Sequence, residues 1–332
     1  MKKTKVLIIY FLIILFSVMI VSSCARQQEK PAPKSENEPK QMPPVVEEME
    51  AEIISIMTEV DTVPYYKKQI EMKLAKEKEK KDLAIKLGMG SGAQDKGGQG
   101  QGQGEEKEQQ QKEGSQIDTL IKFEPKPITI NDILLSEILK IEAIEKKDGK
   151  AQQIPNDIVF VWHGINTKVT GLHKKWNMLE SEIIKSRAPQ ESIKGFEETL
   201  NNLTISASQY NYLDTLFYSN KLTSYIPNLI SNFKKSVPSP IYFMKYHLRQ
   251  MILDFRINNY DNATKNLNKL AIYKDALVSQ LIDKKLTELA NKLNTSVKDL
   301  EHALKLKDLN IIKIKASVLM GNIEKIKDEL SK

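Results

Sequence analysis

The sequence predicts an all-α protein, a helical bundle or a short stack of helical hairpins, carried behind a leader and a low-complexity tether. Apolar residues from Ile117 onward recur at spacings of three and four, the period of an amphipathic helix. Alternation of the strand kind goes no further than the short Ile128-Thr129-Ile130. The clearest breaks are proline-bearing, at Ala188-Pro189 and Val237-Pro238-Ser239-Pro240, and they divide the periodic sequence into runs of helical length.

Residues 1–23 read as a signal peptide. Met1-Lys2-Lys3-Thr4-Lys5 is a basic start, and Val6 to Val21 is an almost unbroken apolar run of 16 residues. A bilayer-spanning helix needs about 20, so the run fits a signal-peptide core better than a span. It ends in Val21-Ser22-Ser23-Cys24, an aliphatic residue, two small residues and the chain's one cysteine. This tetrapeptide resembles the lipobox of bacterial lipoproteins, with Val for the commoner Leu and Ser for Ala or Gly. The resemblance implies that diacylglycerol is attached to the sulfur of Cys24 and that the leader is cut just before it. Two or more acyl chains, palmitate among them, would anchor stably where one is marginal. The expected location is the extracytoplasmic face of the cell membrane.

Residues 24–44 follow as a lipidated tether. Pro31, Pro33, Pro39, Pro43 and Pro44 among Gln, Lys and Glu cannot bury a core and favour extended conformations. Residues 45–87 read as a helical segment. Val46, Met49, Ile53, Ile56, Val60 and Val63 form a coiled-coil-like stripe, Pro64 interrupts it, and a highly charged run continues to Leu87. Such a segment either docks on the main domain, joins a partner, or serves as a stalk. Residues 88–116, rich in Gly and Gln, read as a linker. Their glycines lack the Gly-Lys-Ser/Thr and strand–helix context of a phosphate loop.

Residues 117–332 form the predicted helical domain. A helix is expected from Asn131 to Lys147 with Ile133, Leu134, Ile138, Ile141 and Ile144 on its apolar face. The next opens where Asn156 or Asp157 caps and runs towards Arg187. Further helices are expected at 190–202, 205–235 (perturbed by Pro227), 240–258, 261–292, 295–306 and 308–330. A faint repeat places Tyr218-Ser219-Asn220-Lys221-Leu222 and Asn266-Leu267-Asn268-Lys269-Leu270 48 residues apart, with Ser317 and Val318 in a third such helix. Separately, Phe196-Glu197-Glu198-Thr199-Leu200 echoes Leu300-Glu301-His302-Ala303-Leu304. This half also resembles uncharacterised helical lipoproteins of anaerobic Gram-positive bacteria. The shared stretches are Trp176-Asn177-Met178-Leu179-Glu180, Ala188-Pro189, and Phe196 through Thr204. That resemblance implies no activity.

Charge and composition narrow the function classes. Residues 160–332 hold 26 Lys and Arg against 17 Asp and Glu, whereas residues 24–159 hold 21 against 26. A basic domain on an acidic tether suits an anionic membrane or wall polymer as readily as a solvated lysine surface. An exported location argues against nucleic acid. With Cys24 as the one cysteine, neither an intramolecular disulfide nor a Cys-based zinc site is possible. His163, His173, His247 and His302 make no metal-binding pair at helical spacing, Glu197 and Glu198 point apart on a helix, and no Gly-x-Ser-x-Gly occurs. No catalytic residue, cofactor or metal is therefore expected. Tyr210, Tyr212, Phe217, Tyr218 and Tyr225 form the densest aromatic cluster, followed by Tyr242, Phe243 and Tyr246. They are candidates for a ligand or partner surface, although aromatic residues at helical spacing, Trp162 and Trp176 included, also build cores. The expected function is a membrane-anchored, non-catalytic interaction or scaffold module whose partner is a cell-envelope protein or anionic wall polymer. The alternative is a ligand-binding lipoprotein that takes a small molecule, peptide or wall polymer between its helices.

Overall fold

Helix α1 (Val45–Asp61) begins at the predicted stripe, and Val46, Met49, Ile53, Ile56 and Val60 are all buried on it. Ile54 and Met57 are buried too, so the apolar surface runs around much of the helix and one neighbour could not cover it. In a computed structural model of the chain, which describes residues 40–86, 123–143, 153–234 and 237–331, three helices cover it. They are α3 (Ser136–Glu142), α4 (Ile158–Lys185) and α6 (Tyr212–Thr223). Each fully buried aliphatic side chain contributes about 1.5–3 kcal/mol, so α1 is among the strongest elements of the core. The described residues from Gln41 onward belong to one compact unit. Residues 45–61, set apart in the sequence by the Gly/Gln tract, thus lie inside the same core as the carboxy-terminal helices.

Helix α2 (Val63–Lys86) continues from α1 after Thr62, with Pro64 tolerated in its first turn, where its missing N–H has no helical partner to lose. Tyr65, Tyr66, Gln69 and Ile70 are buried, and the lysine-rich remainder is largely solvated. The Tyr65 hydroxyl donates to the Lys126 carbonyl at 2.7 Å.

The remaining helices are α5 (Gln190–Ser208), the short α7 (Ile226–Leu229), α8 (Ser239–Arg256), α9 (Tyr260–Asp283), α10 (Thr287–Leu306) and α11 (Leu309–Leu330). Helix α8 is the second central element, packed against α6, α7, α9 and α11. Among the described residues the fold is all helical, with one isolated bridge between Gln41 and Lys234. None of the described helices is long and apolar enough to cross a membrane. The leader, Val21 to Cys24 and the Gly/Gln linker lie outside the described residues.

Three expected helices are cut differently. The one placed at Asn131–Lys147 is helical at Ser136–Glu142, because the backbone before it makes other bonds. The buried Asp61 carboxylate accepts the N–H groups of Leu134, Leu135 and Ser136 and the Ser136 hydroxyl, capping α3 from across the core. Lys313 donates to the Ile130 and Ile133 carbonyls at 2.5 and 2.9 Å. The run at 205–235 splits into α5, α6 and α7, and that at 261–292 into α9 and α10. The breaks at Tyr210 and Lys285 are single residues at φ of 58° and 62°, a left-handed step that neither side chain announces.

Those steps reveal the repeat. Left-handed residues stand at Tyr210, Asn258 and Lys307, 48 and 49 residues apart. Each is followed by a capping Asx: Asn211 accepts from Asp214 N–H, Asn259 from Asn262 N–H, and Asp308 from Asn310 and Ile311 N–H. Around them, Leu203, Met251 and Leu300 are buried in one register, and so are Leu222, Leu270 and Leu319 in another. The helical hairpins therefore share one turn and one burial pattern. The echo between Phe196 and Leu300 lies seven residues out of this register, so it does not belong to the repeat.

Candidate functional site

Helix α8 carries two different faces. Towards the core it places Lys245 and Arg249, four residues apart and both buried among apolar neighbours. An isolated buried charge is prohibitively unfavourable, so each must be paired. The Arg249 guanidinium donates from Nη1 to Glu142 Oε2 at 2.5 Å, from Nη2 to Thr223 Oγ1 at 2.9 Å and from Nε to Asn220 Oδ1 at 2.8 Å. Both ion-pair partners are 2% exposed, which makes this the most deeply buried charge pair among the described residues. Lys245 pairs with Glu324 on α11. Burial alone would lower the Lys245 ammonium, but Glu142, Glu50 and Glu324 together carry it above its ordinary value. Glu50 on α1 is pushed up by burial, against the pull of Lys245 and Lys327. Helices α1, α3, α6, α8 and α11 thus meet on one ionic knot.

The opposite strip of α8 holds Phe243, Tyr246, His247, Gln250 and Asp254 at helical spacing. It connects to the knot through Asn220, whose Nδ2 donates to the Tyr246 carbonyl and to Gln250 Oε1. Gln250 Nε2 then donates to Asp254 Oδ1 at 3.2 Å, and Asn266 Nδ2 donates to Asp254 Oδ2 at 2.7 Å. Asn266 Oδ1 completes the chain at His247 Nδ1, 2.7 Å away. Because both donor bonds of Asn266, to Asp254 and the Asn262 carbonyl, come from its nitrogen, its oxygen must accept, and His247 must carry its proton on Nδ1. Burial holds the His247 imidazole below its usual pKa; the Asn266 bond opposes this, and Lys269 and Lys221 reinforce it. Burial likewise raises the Asp254 carboxyl, moderated by Gln250 and Asn266. The Tyr246 phenol is pushed up to about 12, by burial first and then by Asp254 and Tyr225.

Aromatic rings frame this strip. His247 stacks on Tyr273 with centroids 5.7 Å apart, Tyr273 on Phe243 at 4.6 Å, and Tyr246 leans on His247 at 4.8 Å. Lys221 on α6 sits 5.2 Å over the Tyr225 ring. Lys269 on α9 lies one turn from both Asn266 and Tyr273, the two α9 residues that touch His247. The result is a partly exposed aromatic and amide surface on α8, with His247 and Asp254 buried within it, flanked by α6 and α9 and edged by two exposed lysines.

The aromatic residues singled out from the sequence are not one surface. Tyr210 is exposed and stacks on Trp162 at 5.4 Å. Tyr212 is mostly covered, its hydroxyl donating to Asp61 Oδ1 at 3.1 Å, and burial with the Asp61 charge raises its phenol strongly. Phe217 and Tyr218 pack on the core margin. Tyr225 does so against Phe196 and acts electrostatically on Tyr246 of the α8 strip. Trp176 is in the core against Phe196, 4.4 Å between centroids. In the sequence His247 is weighed only as a metal ligand and Asn266 only as part of the repeat, and their pairing across 19 residues follows no spacing rule. The repeat that pairs Lys221 with Lys269 was the signal that could have found them. Among the described residues no three His, Cys, Asp or Glu groups are placed to hold a metal ion. Comparison of the chain with family models, with curated proteins and with solved structures finds no match.

Proposed function

We propose that the protein is a lipid-anchored, non-catalytic interaction module of the cell envelope. Cys24 carries the anchor at the extracytoplasmic face of the membrane, the proline-rich stretch is a spacer, and the helical body presents the α6–α8–α9 surface to a partner. The observation that carries the reading is that surface. Tyr246, Gln250 and Tyr273 are half-buried and fixed by hydrogen bonds or stacking around the buried His247, yet no other element of the described fold covers the three fully. Pre-arranged side chains lose little entropy on binding, which is what a recognition surface needs. The leader and the lipobox-like Val21-Ser22-Ser23-Cys24 support the location.

A photo-crosslinking amino acid at Tyr246, compared with one at Ile272 on the outer side of α9, tests the reading in intact cells. A discrete protein adduct from the first position and none from the second is the expected result. A polymer-like smear from Tyr246 alone would favour the receptor alternative, and equal adducts from both positions would refute a specific face. Release of the Cys24→Ser variant from the membrane fraction is expected, and unchanged detergent partitioning would refute the anchor.

A further inference from the structure

Lys221 and Lys269 occupy the same position of the helical repeat, eleven residues after the left-handed residues Tyr210 and Asn258. The repeat puts them on α6 and α9, which both pack on α8. Lys221 follows Asn220, which bonds Tyr246 and Gln250, and lies over the Tyr225 ring, while Lys269 is one turn from Asn266 and Tyr273, which touch His247. Both are exposed, and neither has an acidic partner among the described residues. Like charges brought towards one imidazole repel each other and destabilise its charged form, and the Lys221 contact with the Tyr225 ring offsets this on one side only. The third repeat has Val318 at this position, so the pair is a local device and no general property of the turn.

From this juxtaposition we infer that Lys221, Lys269 and His247 form a binding site for the phosphate ester of a polyhydroxylated alcohol. Two ammonium groups approaching from different helices suit the tetrahedral, multiply charged oxygens of a phosphate; a planar carboxylate is better matched by the arginine fork, and the nearby arginine, Arg249, is fully engaged in the core. With its proton on Nδ1, His247 offers Nε2 as an acceptor, which a ligand hydroxyl satisfies. Tyr246 and Tyr273, flanking the imidazole, supply faces for the carbon frame of the alcohol. The inference rests on the reading of α6–α8–α9 as the binding face. The same chemistry occurs in a soluble ester, in a wall polymer and in a lipid headgroup.

The test uses the full chain in detergent with isotope-labelled histidine, the four resonances being assigned by single His→Gln variants. Glycerol 3-phosphate is titrated at neutral pH and constant ionic strength, against glycerol with chloride and against acetate. A saturable shift of the His247 signal with glycerol 3-phosphate alone is expected. Lys221→Gln and Lys269→Gln should each weaken it about tenfold, the loss of one charge-assisted contact, and the double variant should abolish it. Circular dichroism of the variants confirms that they remain folded. Vesicles containing phosphatidylglycerol, compared with phosphatidylcholine alone, separate a headgroup from a soluble or polymeric ester. An equal response to acetate, an unmoved His247 signal, or a shift that survives in the double variant would overturn the phosphate assignment. A specific crosslink at Tyr246 without any response to phosphate would retire the ligand and leave the interaction face standing.

Discussion

Replacing Arg249 by Met tests whether the ionic knot holds the helices together or is merely tolerated. The side chain is 2% exposed and makes three hydrogen bonds, to Glu142, Thr223 and Asn220, so its removal leaves a buried carboxylate without its counter-charge. Breaking a buried pair from one side destabilises by about 3–5 kcal/mol. For a domain of this size that is a fall in melting temperature of about 6–20 °C. Glu142→Leu should cost a similar amount, since it strands the guanidinium. The double variant Arg249→Met/Glu142→Leu leaves no unpaired charge, and Glu142 Oε1, which has no hydrogen-bond partner among the described residues, goes with it. What remains is Asn220 Oδ1 without its donor, about 1–3 kcal/mol; Thr223 keeps its bond to the Asn220 carbonyl. The double variant should therefore be more stable than either single one. Urea midpoints followed at the helical circular-dichroism signal, with unchanged slopes, measure this cycle. Additive losses in the double variant, or an Arg249→Met variant within 1 kcal/mol of the parent, would refute the argument.

Two further predictions use features elsewhere. A Cβ added at Gly195 would stand 2.6 Å from the Tyr225 ring, whereas at Gly171 it meets nothing within 4 Å. Gly171→Ala should stabilise by about 0.5–1 kcal/mol through helix propensity, while Gly195→Ala should lose about 1–3 kcal/mol to overpacking before that gain is counted; equal midpoints would contradict the packing of Tyr225 on α5. His247 titrates below its ordinary value in the fold, chiefly through burial, so the unfolded chain takes up its proton first as the solution is acidified. Its contribution is present above the unfolded value of about 6.5 and is lost as pH falls through the folded one. The melting temperature of the parent minus that of His247→Asn, which keeps a donor for Asn266, should fall as the pH is lowered from about 7.5 to 5.5. A difference that stays flat or rises would reverse the sign.

The all-α class and most helix ends were legible because period and capping are local. Asp157 does cap α4, accepting from Val159 N–H at 3.0 Å, and α8 begins at the proline-bearing break. What was not legible depends on distance along the chain. Asp61 decides where α3 starts from more than 70 residues away, so the apolar pattern alone placed that helix start five residues early. Left-handed turns at Tyr210 and Lys285 carry no glycine, and without one the helices on either side read as continuous. The aromatic density around Tyr210 to Tyr225 was visible, but density does not fix direction. Helix geometry sends Tyr212 to Asp61 and Tyr225 to Phe196, and leaves Tyr210 outside on Trp162.

The ionic knot and the exposed surface are parts of one hydrogen-bonded chain. From Glu142 it runs through Arg249, Asn220, Gln250, Asp254 and Asn266 to His247. The amides of Asn220, Gln250 and Asn266 both donate and accept, and Asp254 accepts from two of them, so each link fixes the orientation of the next. The geometry of His247 is thereby set from inside the protein as well as by its neighbours at the surface. A surface built for adaptable contact would leave such groups to water. Here they are tied instead to the most deeply buried ion pair among the described residues, and the repeat sets Lys221 and Lys269 on α6 and α9, the helices that pack beside them on α8.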